Sequence, residues 1–286
     1  MLNRNVETFL GCDAAYEDAS IVLFGAPFDS TTSYRPGTRF ASRAIRQESY
    51  GLETYSPYQG RDLTDYAVFD SGDLDLPFGD PVEPLRMIRE RTETILDSDK
   101  LPFLIGGEHL VTLGAVEAVF AKYPDLHIIH FDAHADLRDA FFGSRLSHAC
   151  VIRRCWELLG DGRISQFGIR SGDRTEFDWS RESRHVHTQL FDFTGLGHVL
   201  DSIGDKPVYL TVDLDVLDPS IFPGTGTPEA GGVSFSDLLE ALFLVISQAK
   251  VVGCDVTELA PTLDPSGVST AVACKIVREM LIALGA

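Results

Sequence analysis

Two kinds of segment alternate along almost the whole chain, short apolar runs rich in β-branched residues and longer amphipathic stretches. Some short runs, such as IVLF at 21–24 and VYLTV at 208–212, have apolar residues on both faces of an extended chain. That pattern is typical of parallel strands covered on both faces. The repeated alternation of strand and helix predicts a doubly wound α/β fold, in which helices cover both sides of a mainly parallel sheet of about eight strands.

The predicted elements follow one another without a linker-like tract of Gly, Ser or Pro. Strands are predicted at 21–25, 67–70, 103–106, 127–131, 164–169, 186–190, 208–212 and 251–255. Helices are predicted at 41–48, 84–96, 110–122, 149–159, 235–247 and 270–284. We therefore expect a single three-layer α/β/α domain over residues 1–286.

Charge and cysteine content narrow the class of protein. The chain carries 24 Lys and Arg against 43 Asp and Glu, a net charge of −19. Such a charge disfavours nucleic acids and anionic membranes as partners, although solubility alone would account for it. The five cysteines form no C-x-x-C motif, which predicts buried thiols in a reducing compartment. With no run of about 18 apolar residues and no apolar leader in the first twelve residues, we expect a cytoplasmic protein.

Polar clusters directly follow four of the predicted strands. They are GGEH at 106–109, DAHAD at 132–136, DLDVLDP at 213–219 and DVTELAP at 255–261. Ligands of open α/β sheets bind beyond the carboxyl ends of the strands. We therefore expect the four clusters to meet at one edge of one sheet, in a single site.

The residue types in these clusters predict a metal centre. Asp132, His134 and Asp136 alternate with alanines, so that an extended backbone places all three side chains on one side. Asp213 and Asp215 repeat this spacing after another strand. Crowded carboxylates repel one another unless a cation lies among them. For either pair of aspartates alone, a polar loop or a helix cap would be an adequate structural explanation.

The number and type of candidate ligands favour two cations over one. His109 could be a further ligand or a helix cap, and Glu108 could orient a neighbouring side chain. Oxygen donors mixed with imidazole suit Mn²⁺, with Fe²⁺, Co²⁺ and Zn²⁺ also compatible. Two imidazoles and four carboxylates exceed the ligands of one tetrahedral zinc. They match a pair of divalent ions that activates a water molecule for hydrolysis.

Taken together, the motifs resemble the arginase/agmatinase (ureohydrolase) family over nearly the whole chain. The matching segments are GGEH (106–109), FDAHAD (131–136), SH (147–148), GIRS (168–171), VDLDVLDPSIFPGTGTPEAGG (212–232) and DVTELAP (255–261). Two further segments, YRPGTRF (34–40) and LETYSPY (52–58), resemble the bacterial agmatinase branch.

The resemblance implies an arginase-like fold and two Mn²⁺ per subunit. One ion would bind His109, Asp132, Asp136 and Asp213, and the other His134, Asp132, Asp213 and Asp215. The resemblance also assigns catalytic and substrate-binding roles, to Asp136 as a proton acceptor, to Glu258 and Thr227 as guanidinium contacts, and to His148 as a proton shuttle that contacts the substrate.

The implied activity is hydrolysis of agmatine to putrescine and urea by a homo-oligomer, a trimer or a hexamer. Two local features leave the substrate open. His148 is followed by Ala149 and Cys150 where many agmatinases have an H-G-T-like run. Arg145 lies in the expected entrance loop, where a cation suits a guanidino acid such as 4-guanidinobutyrate better than a dicationic amine, unless Arg145 pairs with Asp139.

Other functions fit the sequence less well. A zinc-dependent amine deacetylase of the same broad fold would need only one Asp-His-Asp ligand set. A binuclear phosphoesterase would be expected to carry a G-N-H-like segment and basic residues at the strand ends, and neither is present. A metal-stabilised interaction protein would have no need for the complete ligand set. Within the family, arginase itself is disfavoured by the agmatinase-like segments near the N-terminus.

Overall fold

The computed structural model describes residues 7–182 and 184–286. The strands in these ranges are β1 (Ile21–Gly25), β2 (Tyr55–Ser56), β3 (Arg61–Asp62), β4 (Val68–Asp73), β5 (Leu101–Ile105), β6 (His127–Phe131), β7 (Ile164–Ile169), β8 (His187–Leu190), β9 (Pro207–Asp213) and β10 (Lys250–Thr257). The α-helices are α1 (Ala41–Ser49), α2 (Val82–Asp97), α3 (Val111–Lys122), α4 (Val151–Leu159), α5 (Arg174–Glu182), α6 (Leu196–Ile203), α7 (Phe235–Gln248) and α8 (Val268–Gly285).

Eight of the strands form one parallel sheet in the order β4-β1-β5-β10-β9-β6-β7-β8. Helices α2, α3 and α4 pack together on one side, and α1, α6, α7 and α8 pack together on the other. The predicted three-layer, doubly wound architecture is confirmed, and so is the predicted number of strands in the sheet.

The inner strands are buried on both faces. Every residue of β1, β7 and β9 is buried, and β6 is buried from Ile128 to Phe131. Two apolar clusters lie on opposite sides of the sheet, one beneath each helical layer. Consecutive apolar residues in these strands therefore reflect alternating contacts with the two layers, as predicted from runs such as VYLTV.

Four elements of the structure were not predicted from the sequence, namely two helices and two short strands. Helix α5 fully buries only Glu176 and Ser180, and its apolar residues Phe177 and Trp179 are only partly buried, so it has no fully buried apolar stripe. Helix α6 spans eight residues, and Gly195 and Gly197 lie at its beginning. The two short strands β2 and β3 pair only with each other. Hydrophobic periodicity cannot detect α5, β2 or β3, which bury so few apolar side chains, whereas the helical spacing of Leu196, Leu200 and Ile203 in α6 extends over only two turns.

The sheet brings the four polar clusters together. The strands that precede them, β5, β10, β9 and β6, are consecutive neighbours in the middle of the sheet. All pairs among them are parallel, so their carboxyl ends lie at the same edge. The predicted convergence of sequence-distant clusters on one site is confirmed.

Several smaller expectations can also be compared with the structure. All five cysteines are buried and unpaired, as predicted. None of the described helices has the length and apolarity that a membrane crossing requires. The expected lack of a leader segment rests partly on residues 1–6, which lie outside the described residues.

A buried ion pair holds α1 against the edge strand β4. The guanidinium of Arg46 donates to both carboxylate oxygens of Asp70, over 2.8 and 2.9 Å, and also contacts Asp73. Asp70 is only 7% exposed and accepts a further bond from the backbone N–H of Phe9. Removal of one partner would leave a buried charge uncompensated.

We expect Arg46→Ala to lower the free energy of unfolding by about 3 kcal/mol, measured by chemical denaturation. The control is Arg43→Ala on the same helix, since the exposed Arg43 is 4.0 Å from Glu7 and should change stability by less than about 0.5 kcal/mol. Equal stability of the two variants would contradict a structural role for the Arg46–Asp70 pair.

Candidate metal centre

Three carboxylates surround one nitrogen of His109. This Nδ1 atom is buried and lies 3.0 Å from an oxygen of Asp132, 3.2 Å from one of Asp136 and 3.3 Å from one of Asp213. It makes no hydrogen bond among the described residues. The structure thus brings together the four residues predicted to hold the first cation.

A hydrogen-bonded chain behind His109 fixes which nitrogen faces the carboxylates. Asp255 is fully buried, and it accepts from the hydroxyls of Thr211 (2.6 Å), Tyr209 (2.7 Å) and Thr112 (2.9 Å). Because Thr211 gives its proton to Asp255, its oxygen must accept from Nε2 of His109, 2.9 Å away. In the neutral imidazole this leaves a lone pair on Nδ1, directed at three negatively charged groups.

A second group forms around His134. Its Nδ1 atom lies 3.0 Å from Oδ2 of Asp215 and 3.5 Å from Oδ1 of Asp132. Oδ2 of Asp215 is buried and has no hydrogen-bond partner among the described residues. Asp213 is held beside this group because its Oδ1 accepts from the backbone N–H of Asp215 at 2.9 Å. The four residues predicted for the second cation are therefore also adjacent.

The electrostatics of both groups favour added positive charge. Burial, together with the charges of Asp215 and Asp132, raises the pKa of Asp213 well above its ordinary value. Burial and the charge of Asp132 raise the pKa of Asp136 to about 7. Burial alone would lower the pKa of His109, but its contacts with Asp132, Asp136 and Asp213 raise that pKa well above its ordinary value. A proton or a metal ion at this point would relieve the repulsion.

The donor set fits a pair of divalent cations. Two ligand atoms at right angles, each about 2.1 Å from an ion, are about 3.0 Å apart, which matches the distances around His109. The orphaned Nδ1 of His109 and Oδ2 of Asp215 are the polar atoms that such ions would satisfy. Carboxylates and imidazoles without thiolates suit Mn²⁺ and similar ions.

Two site residues have backbone conformations that are rare for side-chain-bearing residues. Asp136 has a φ of 54° and Glu258 a φ of 65°, both in the left-handed region. Next to Asp136, the backbone N–H of Leu137 donates to Glu176 at 2.9 Å. The backbone N–H of Glu258 itself donates to the carbonyl of Gly107 at 2.9 Å. Such strain persists only where the surrounding structure enforces it, as is common at functional sites.

A cavity of about 120 Å³ opens directly onto the acidic cluster. It is lined by Ser33, His134, Asp136, Arg138, Phe141, His148, Ala149, Asp213, Thr227 and Glu258. The three residues predicted to contact substrate or carry protons, Glu258, Thr227 and His148, thus share one small space with the candidate metal ligands. An adjoining cavity of about 180 Å³ extends past His134 toward Asp173 and Glu176.

Glu108 supports the wall of this cavity. Its buried carboxylate accepts from the backbone N–H of Thr31 at 3.0 Å and from the hydroxyls of Thr31 and Thr32. Thr31 Oγ1 in turn accepts from the backbone N–H of His148 at 3.0 Å. Glu108 therefore orients the loop that carries His148, which agrees with the supporting role considered for it above.

Gly107 allows the backbone approach that this wall requires. A Cβ atom at residue 107 would lie 1.9 Å from the carbonyl oxygen of Phe28. The same oxygen accepts from the N–H of Glu108 at 2.8 Å. Because the oxygen of Phe28 belongs to the backbone, no side-chain movement could relieve its overlap with a Cβ atom at residue 107. The glycines before His109 are thus required by packing.

Sequence reasoning missed several residues of the site. Arg138, Phe141 and Ser33 line the cavity but lie in loops whose contacts no pattern specifies. His130 and Thr211 lie inside buried strands, where they were counted as part of apolar runs. A polar residue within a strand that is buried on both faces was the available signal, since such a group must find a partner.

Arg145 is neutralised by its neighbours. It donates to Asp139 at 2.8 Å and to Glu157 at 2.6 Å, and Arg154 binds the same two carboxylates. Arg145 is half exposed and does not line the cavity. The pairing with Asp139 that would make Arg145 compatible with a cationic substrate is present.

A larger cavity of about 560 Å³ lies elsewhere, along the edge strand β8, and is lined by Phe177, Arg181, Arg184, Val186 and Leu190 among others. Neither group of candidate metal-binding residues in the described ranges lies there. The smaller cavity is therefore the candidate functional site, because charged and strained residues converge there.

Comparisons with known proteins identify the family of this chain. The sequence matches the arginase family over residues 19–283. It is 46% identical to the agmatinase of Bacillus subtilis (strain 168) over 278 residues, 96% of each chain. It is 35% identical to the mitochondrial guanidino acid hydrolase of Homo sapiens, over 96% of this chain and 79% of that one. The crystal structure of the agmatine ureohydrolase of Thermoplasma volcanium has a TM-score of 0.88 and 32% identity, covering 98% of this chain and 95% of that one.

We expect Asp132→Ala to lose both divalent ions, because Asp132 contacts both groups of ligands, while the fold remains intact. Metal analysis after gel filtration in Mn²⁺ and far-ultraviolet circular dichroism would measure the two effects. Asp125→Ala, at an exposed position before the same strand, should keep the full metal content. Two bound ions per chain in the Asp132 variant would contradict the ligand assignment.

Proposed function

The chain belongs to the arginase family, and we propose that it is a binuclear manganese hydrolase that cleaves the guanidinium group of agmatine to give putrescine and urea. The observation that carries the proposal is the shared cavity, in which Glu258, Thr227 and His148 face the acidic cluster around Asp136 and Asp213. The names of the agmatinase relatives support the choice of substrate.

Six residues would hold the two ions, one ion in each ligand group. They are His109, Asp132, Asp136, Asp213, His134 and Asp215. Such ions would supply a strong oxygen nucleophile near neutral pH, since divalent cations lower the pKa of bound water. The resonance-stabilised carbon of a guanidinium group requires such a nucleophile.

Glu258 would bind and orient the substrate. Its Oε1 accepts from the backbone N–H of His109 at 2.7 Å, which fixes the carboxylate at the cavity wall. A carboxylate held in this way can accept paired, charge-assisted hydrogen bonds from a planar guanidinium. Burial and the charge of Glu108 raise the pKa of Glu258 well above its ordinary value, which a bound cation would reverse. Thr227 lines the same cavity and would provide a second contact.

Asp136 and His148 would move the protons. Asp136 lies at the cavity wall and would accept a proton from the attacking water and deliver it to the leaving amine. His148 lies with Nε2 3.2 Å from the hydroxyl of Ser33. Burial lowers the pKa of His148 to about 4, so the imidazole is neutral at pH 7 and free to accept a proton and pass it to solvent.

The charges around the cavity favour an amine at the far end of the substrate. Arg138 is the arginine that lines the cavity, and it donates to Asp173 at 2.6 Å, with Glu176 3.6 Å away. With Arg145 paired as well, neither of these arginines offers an unpaired cation to a substrate carboxylate. Glu229 lies at the rim, bound to Ser171 and partly exposed, and adds negative charge.

Of two alternative activities, one is supported by a relative of this chain and the other is disfavoured by the candidate metal ligands. Hydrolysis of a guanidino acid such as 4-guanidinobutyrate is the second candidate, because the human guanidino acid hydrolase is 35% identical to this chain. A zinc-dependent deacetylase needs one ion, whereas the group formed by His134, Asp132 and Asp215 offers a second site. That group disfavours the deacetylase.

Four further properties belong to the proposal. The native ions are Mn²⁺, the chain is a single domain over residues 1–286, it assembles as a trimer or a hexamer, and it acts in the cytoplasm on a small molecule without nucleic-acid or membrane partners. The acidic sequence and the family resemblance support these properties. Analytical ultracentrifugation and metal analysis would measure the assembly and the ions.

With Mn²⁺ added, we expect the protein to release urea from agmatine with a kcat/KM at least tenfold above that for 4-guanidinobutyrate or arginine. The reason is the pairing of both arginines near the cavity. A colorimetric urea assay across the three substrates measures the preference, and the chelated enzyme serves as the blank. Faster turnover of 4-guanidinobutyrate would show that the guanidino acid, and not agmatine, is the preferred substrate. Release of no urea from any of the three compounds would overturn the proposed function.

The substitution Glu258→Gln should lower kcat/KM for agmatine roughly 100-fold, because two charge-assisted hydrogen bonds become neutral ones at a loss of about 1.4 kcal/mol each. Steady-state kinetics would measure the change. Two Mn²⁺ per chain should remain bound, since Glu258 is outside both ligand groups. The exposed Glu240→Gln is the matched control. Unchanged kinetics in the Glu258 variant would contradict its role in guanidinium binding.

A further inference from the structure

His130 lies in the middle of the sheet with both ring nitrogens occupied. It belongs to β6, is fully buried, and precedes the candidate metal ligand Asp132 by two residues. Its Nε2 is 2.8 Å from Oδ2 of Asp132, and its Nδ1 is 3.0 Å from the amide nitrogen of Gln166 on β7. His130 could approach a metal with His109 and Asp132 on distance alone, but both of its nitrogens already have partners.

The hydrogen bonds of Gln166 determine the tautomer of His130. The amide nitrogen of Gln166 lies 2.6 Å from the carbonyl oxygen of Ala135, which can only accept. The amide oxygen accepts from the hydroxyl of Thr188 on β8 at 3.2 Å. These two partners fix the orientation of the amide, so its nitrogen must also donate to Nδ1 of His130. The proton of the neutral imidazole therefore lies on Nε2, which donates to Asp132.

This donation leaves Asp132 in the state that a shared metal ligand needs. Oδ2 of Asp132 accepts from His130, and Oδ1 accepts from the backbone N–H of His134 at 2.5 Å. Each oxygen thus has one lone pair bound from within the protein and one available on the cavity side, near His109 for Oδ2 and near His134 for Oδ1. The carboxylate cannot rotate without losing both bonds.

We propose that His130 is a positioning residue that holds Asp132 between the two cation sites, and that Gln166 sets the tautomer this requires. The inference rests on the proposed two-metal function and deepens it. The chain of bonds from Thr188 through Gln166 and His130 to Asp132 crosses three adjacent strands. Partners of this kind orient a ligand and raise its basicity, and their loss weakens metal binding by about 10–100-fold.

The test measures Mn²⁺ affinity without substrate. His130→Phe removes the donor but keeps a ring, and we expect it to weaken Mn²⁺ binding 10–100-fold in a titration followed by electron paramagnetic resonance of free Mn²⁺. His130→Gln places an amide N–H near the position of Nε2 and should recover most of the affinity. A role in packing alone predicts the opposite order, because phenylalanine fills the space better than glutamine does.

The matched control is His127→Phe, the same substitution at the beginning of the same strand, where the ring is half-buried and remote from the ligands. It should bind Mn²⁺ like the unmodified protein. Wild-type affinity in folded His130→Phe, or no recovery in His130→Gln, would overturn the proposal. If His130→Phe does not fold, Gln166→Leu decides, since at least threefold weaker binding supports the proposal and unchanged binding overturns it.

These outcomes are separate from those that test the proposed activity. If the protein binds two Mn²⁺ tightly but releases no urea, the proposed activity is wrong and the proposed role of His130 stands. If the His130→Phe variant is fully active and has normal Mn²⁺ affinity, the proposed role of His130 is wrong and the proposed activity stands.

Discussion

Four buried carboxylates, each with an oxygen 3.0–3.5 Å from an imidazole nitrogen of His109 or His134, dominate the energetics of this structure. Uncompensated, each buried charge costs several kcal/mol, and the neighbouring charges add to that cost. The arrangement is therefore viable only with added positive charge, and the surrounding sheet is built to accept it. Two hydrogen-bonded chains, one from His109 through Thr211 to Asp255 and one from Gln166 through His130 to Asp132, direct lone pairs toward the cavity. The buried polar residues within the central strands thus orient the candidate metal ligands at the ends of those strands.

Most of the sheet could be predicted from the sequence because its strands are buried on both faces. Strands β1, β6 and β7 have the bounds expected from their apolar runs, and β9 and β10 extend by one or two residues at each end. The order of the strands in the sheet could not be predicted from the apolar pattern. That pattern shows that a strand is buried but does not show which other strand pairs with it. Elements that bury few side chains, such as α5, gave no signal for the same reason.

The candidate ligands were identifiable because aspartate and histidine at strand ends contrast with the apolar runs before them. Thr227 and His148 came only from the resemblance, since a threonine or a histidine in a loop has no distinguishing pattern. The charges that would select the tail of the substrate depend on side-chain pairing in loops, which the sequence does not encode locally. Arg145 is adjacent to the site in sequence yet turned away by Asp139 and Glu157, whereas Arg138, which drew no attention, lines the cavity.

The position of β10 has a consequence for how the chain reaches this structure. Strand β10 is the last strand in sequence but lies between β5 and β9, and it is the only strand that joins β4-β1-β5 to β9-β6-β7-β8 in the described sheet. The fold divides the candidate ligands, because His109 follows β5 whereas the other five lie at or beyond the ends of β6 and β9. Strand β10 must pair with both β5 and β9 before the sheet holds His109 beside them. Long-range pairing of this kind slows folding and exposes strand edges in the meantime. Completion of the ligand group around His109 thus depends on closure of the sheet by its last strand.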